Sequence, residues 1–89
     1  DRDVARAQAA LATDEAQVAV KGAAVAELRD EVTRKRDLVP SGAISEGAFR
    51  RLEIRLQGAE AEVVAAEKVV TEARAALAQA EAAHAAAHV

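Results

Sequence analysis

The sequence has no cysteine, tryptophan, tyrosine or methionine, and Phe49 is its only aromatic residue. Without cysteine it can hold neither a disulfide staple nor a thiolate metal site. With a single aromatic ring it also lacks the large side chains that cluster in the core of a compact small domain. No apolar run approaches the roughly 20 residues of a membrane-spanning helix, and no secretory leader pattern is present. Proline occurs once, at Pro40, so strong backbone breaks are confined to one place near the middle of the 89 residues. Cationic excess is missing too: a net charge of −3 and a pI near 5.3 argue against nucleic acid as the main partner.

What is abundant is alanine, at 26 residues. Alanine is the best helix former and buries little area. The apolar fraction of 52% therefore overstates the core, and the composition predicts an elongated helical object within one domain.

Val4, Leu11, Val18, Val25 and Val32 recur every seven residues without a miss. A strand needs a period of two and an isolated amphipathic helix drifts at 3.6, so a strict seven marks a coiled-coil seam. The companion series Ala7, Asp14, Lys21, Leu28 and Lys35 is only partly apolar. The second half is cleaner, with Phe49, Leu56, Val63, Val70 and Leu77 in one series and Leu52, Ala59, Ala66, Ala73 and Ala80 in the other. Between the halves, Val39-Pro40-Ser41-Gly42 reads as a stop and a turn, because proline interrupts the ladder and glycine accepts positive φ. The predicted fold is all-α: a long antiparallel two-helix coiled-coil hairpin, with helix 1 over about 2–38, a turn over 39–44 and helix 2 over about 45–87.

The turn sets the register. Residues whose numbers add to about 84 should face each other, which sets Val32 against Leu52, Val25 against Ala59 and Val18 against Ala66. Large meets small along most of the seam, which fills the space between two close helices. Asp14 would face Val70, and a locally weak seam is expected there. Ser45 is a suitable N-cap, Ile44 and Phe49 have the spacing of a hydrophobic staple, and Glu46 suits the positive end of the helix dipole. Residues 29–55 carry seven Lys/Arg against five Asp/Glu, while the remainder carries five against ten, so the turn end is mildly basic and the open end acidic.

Catalysis has no foothold: the chain shows no nucleophile beside a base and no glycine-rich phosphate loop, and a two-helix rod builds no cavity. No enzyme activity and no cofactor are expected. Glu81, His84 and His88 share a helix face at metal-like spacing, but without a fourth ligand they read as ordinary exposed side chains. Alanines outside the seam (Ala5, Ala12, Ala19 and Ala26 in one series) serve helix propensity or form a second shallow packing face. On the second reading, the isolated segment self-associates. The chain opens and closes in mid-pattern, at Asp1-Arg2-Asp3-Val4 and Ala85-Ala86-Ala87-His88-Val89, as expected of a segment excised from a longer protein.

Arg34-x-x-x-Leu38-x-x-x-Gly42-x-Ile44-Ser45, set between two antiparallel heptad helices, resembles the hairpin tip of periplasmic adaptor proteins. These are the membrane fusion proteins of tripartite efflux pumps and type I secretion systems. Their tip signature is an Arg, a Leu four residues on and a Ser seven after that, which Arg34, Leu38 and Ser45 match in type and spacing. Gly42 and Ile44 match as well, and Phe49 suits the bulky position four after the Ser. Ala48 and Arg50 stand where the family often has acids, and Pro40 is not part of its pattern. The resemblance implies a periplasmic hairpin whose tip docks onto a TolC-type outer-membrane channel. The parent would be anchored at the inner membrane, engage a transporter there through other domains, and assemble with neighbouring adaptor subunits. It also implies that Arg34, Leu38 and Ser45 touch the channel, with Gly42 and Ile44 as secondary tip positions. The competing expectation is a structural coiled-coil stalk of an unrelated scaffold, whose turn residues only close the hairpin.

Overall fold

The computed structural model describes residues 1–88. Two helices account for most of them: α1, Arg2–Arg36, and α2, Glu46–Ala87. The molecule measures 71 × 13 × 12 Å. A helix the length of α2 alone reaches roughly 63 Å at 1.5 Å per residue, so α1 must lie alongside it rather than end to end. The fold is an all-α antiparallel helical hairpin.

The heptads explain the packing. Every residue of the two series on α1 and the two on α2 is buried or half-buried, and most of the positions between them are exposed. Polar contacts across the seam fix the register independently. Lys21 Nζ lies 3.3 Å from Glu62 and His84 Nδ1 lies 2.9 Å from Asp1, both at the expected level. Arg29–Glu60 at 2.9 Å and Glu15–Arg74 at 3.5 Å lie on one flank, two heptads apart. These pairs are largely solvated and contribute about 0–1 kcal/mol each. They choose among registers more than they hold the rod together.

Among the described residues the buried core is Val25, Val32, Leu52 and Val70. Burying such a side chain stabilises by about 1.5–3 kcal/mol. On α1 none of these precedes Val25, and toward the open end Val70 of α2 is the one fully buried side chain among the described residues. Asp14 is half-buried in the seam, and a shallow groove lined by Asp14, Gln17, Lys21, Ala66 and Val69 opens beside it. Lys21 escapes the seam by turning its ammonium outward to Glu62.

The regular ladder of α1 closes at Arg36, two residues before the expected 38. Pro40 has no N–H to give the Arg36 carbonyl, and its ring crowds that carbonyl. The chain tightens instead: Leu38 N–H donates to Lys35 O at 3.0 Å and Val39 N–H to Arg36 O at 3.4 Å. Gly42, at φ +77°, then reverses the direction. Its N–H donates to Val39 O at 3.0 Å, and the Ala43 N–H reaches back to Leu38 O at 3.1 Å. That pair of bonds around a left-handed glycine is a Schellman closure. Ser41 Oγ–H adds a third tie, donating to Leu38 O at 3.0 Å.

Candidate docking tip

The start of α2 is fixed by Ser45, whose backbone is extended (φ −73°, ψ 152°) and whose Oγ accepts the Ala48 N–H at 3.1 Å. That bond occupies a lone pair and leaves the hydroxyl proton free to donate. Ile44, immediately before it, is half-buried and lines a groove with Glu31, Lys35, Ala48, Leu52 and Arg55. Its side chain therefore supports the tip from within. Gly42 contributes backbone geometry alone, since a Cβ there would meet nothing within 4 Å.

Leu38 is 44% exposed, one of five large apolar side chains left in solvent among the described residues. The heptad accounts for this placement: counting by sevens from Val25 and Val32, the seam position is Val39, which is half-buried, and Leu38 falls outside the seam. Arg34, one turn earlier, is 68% exposed and makes only a long 3.6 Å contact from Nε to Asp30. Its guanidinium keeps most of its donors in water. The closed end thus carries an exposed leucine, a guanidinium with one long contact and a hydroxyl with a donor to spare, beside the Schellman closure and the cap of α2.

Cations frame these groups. Arg34, Lys35 and Arg36 occupy the last turn of α1, where positive charge suits the helix dipole. Lys35 is held by Glu31 at 2.7 Å, and this hydrogen bond is the main reason the Glu31 carboxyl titrates below the usual carboxylate range. Arg51 and Arg55 line the same groove as Ile44 and face Glu31 across the seam. The sequence motif did not single out these two. Their heptad positions, flanking Leu52 on the side away from Phe49, were the signal available for finding them.

At the opposite end, His84 stacks edge-on against His88 with ring centroids 4.4 Å apart and contacts Asp1. Among the described residues no group of three His, Cys, Asp or Glu is placed to hold a metal ion. No described helix is long and apolar enough to cross a membrane. No protein-family model, curated protein or solved structure matches the chain. The geometry defines the class: a helical hairpin with a closed, cation-framed, partly apolar tip.

Proposed function

We propose that this chain is the docking hairpin of a periplasmic adaptor in a tripartite efflux pump or type I secretion system. On this reading its tip contacts a TolC-type outer-membrane channel, its neighbours are further adaptor subunits, and parent domains outside this segment engage an inner-membrane transporter. The supporting observation is that Arg34, Leu38 and Ser45, at the tip spacing of that family, are all exposed at the closed end of the hairpin. Leu38 offers an apolar anchor of the kind that centres protein interfaces. Arg34 offers a fork of donors for carbonyls or a carboxylate, and Ser45 offers its unused hydroxyl proton. The role is binding, with no chemistry of its own.

The test is transport by the full-length protein carrying Leu38→Asp or Arg34→Glu. Either change should abolish efflux or secretion while leaving the helical circular-dichroism signal of the 89-residue chain unchanged. Undiminished transport in both variants defeats the proposal. A structural stalk is the second reading, favoured by the internal hydrogen bonds that Ser41 and Ser45 already make. Split β segments flanking the hairpin in the parent chain support the adaptor, and continued heptads support the stalk.

A further inference from the structure

The helix face beside the Asp14 groove carries a pattern that the hairpin seam does not use. Along α1 it reads Arg6, Ala10, Thr13, Gln17, Val20, Ala24 and Glu27, at alternating steps of three and four, and all seven are exposed. Such spacing is that of a second packing stripe on one helix. Val20 is 62% exposed, the most of any large apolar side chain on the described surface, and Val69 of α2 borders the same groove at 45% exposure. From Ala10 to Ala24 the stripe holds no charge.

The stripe is also complementary to its own reverse. Laid antiparallel on a second copy and centred on Gln17, it sets Ala10 against Ala24, Thr13 against Val20 and Arg6 against Glu27. Among the described residues neither Arg6 nor Glu27 has an ion-pair partner within the chain. The same two-fold axis sets Val69 of α2 against Ala65 of the other copy. It also brings Glu62 near Glu72 and Asp3 near Glu31. However, Glu62 is already paired with Lys21 and Glu31 with Lys35. End to end, the basic tip of one rod lies toward the acidic open end of the other. A surface that matches itself under a two-fold rotation is the requirement for a closed dimer.

We infer that two copies of this chain associate antiparallel through the α1 face centred on Gln17. The occupant of the apolar groove beside Asp14 is thus a second copy. The tips of such a pair point in opposite directions, so the pair differs from neighbours that would dock side by side on one channel, and the two readings are tested separately.

The experiment is sedimentation equilibrium of the 89-residue chain with a set of charge variants. The wild type should approach the mass of two 9.3 kDa chains with rising concentration. Val20→Glu, at an exposed site, should return it to a monomer of unchanged helicity. Arg6→Glu and Glu27→Arg should each weaken association by about tenfold or more, since two attractive pairs become repulsive. The double variant should restore it, and a mixture of the two single variants should form a heterodimer. A spin label on Ser41→Cys should report tips on the order of 70 Å apart at 1.5 Å rise per residue. A wild-type chain monomeric at every concentration, association indifferent to Val20→Glu or to the single charge reversals, or tips close together would overturn the inference.

Discussion

Gly42 and Ser45, three residues apart, control the two ends of the reversal by unlike means. Gly42 supplies a left-handed φ of +77°, where a Cβ would find open space but the backbone itself would be strained. Gly42→Ala should therefore destabilise by about 1–2 kcal/mol through the backbone alone, read as a lowered Tm. Gly42→Asn should recover part of it. Ser45→Ala removes the acceptor for the Ala48 N–H and should cost about 1 kcal/mol in the same assay. Glu31 adds a pH dependence. Its folded-state pKa is lowered, chiefly by the hydrogen bond from Lys35, so its contribution is fully present above the unfolded carboxylate range. It is lost as pH falls through the lower, folded value. Glu31→Gln should flatten the acid limb of a Tm-against-pH curve and leave its neutral-to-alkaline limb unchanged in shape.

At the scale of the element, α1 is the weaker partner because Asp14 and Lys21 stand where α2 keeps apolar residues. Lys21 has a stem long enough to cover the seam while its charge reaches Glu62, whereas Asp14 has none. Asp14→Leu should stabilise the hairpin by about 1–2 kcal/mol, on the order of burying part of one leucine. The measurement is the urea midpoint. The seam was legible residue by residue, since a strict period of seven leaves only one face to bury and the central proline fixes where the faces meet. The tip was legible as composition but not as geometry. After Arg36 the hydrogen bonds span three residues instead of four around Pro40, and no heptad count carries past the reversal at Gly42. What emerges only with the backbone is the path of the reversal, with the Gly42 N–H on Val39 O and the Ala43 N–H on Leu38 O. Arg51 and Arg55 were hidden for another reason: periodicity places a long side chain on a flank without saying which groove its end enters.

For the whole molecule the decisive dimension is the cross-section of about 13 by 12 Å. A rod two helices wide has no second layer, so every seam residue is one side chain away from water. Long-range order then rests on the helices themselves and on whatever packs against their outer faces. Because the cross-seam ion pairs are exposed, raising the salt to about 1 M should lower Tm by only a few degrees. A larger loss would mean that the charges do more than select the register.

The uneven core gives the rod a direction of failure. Of the four buried side chains, Val25, Val32 and Leu52 lie in the turn half of the rod, and Val70 alone lies in the open half, at the level of Asp14. Amide exchange should accordingly run fastest at both open termini and slow progressively toward the turn, like a zip that parts from one end only. Heat or pulling applied at the open end should part the helices there first. The reversal around Gly42 would be the last native structure to be lost, so the tip keeps its shape after much of the shaft has let go.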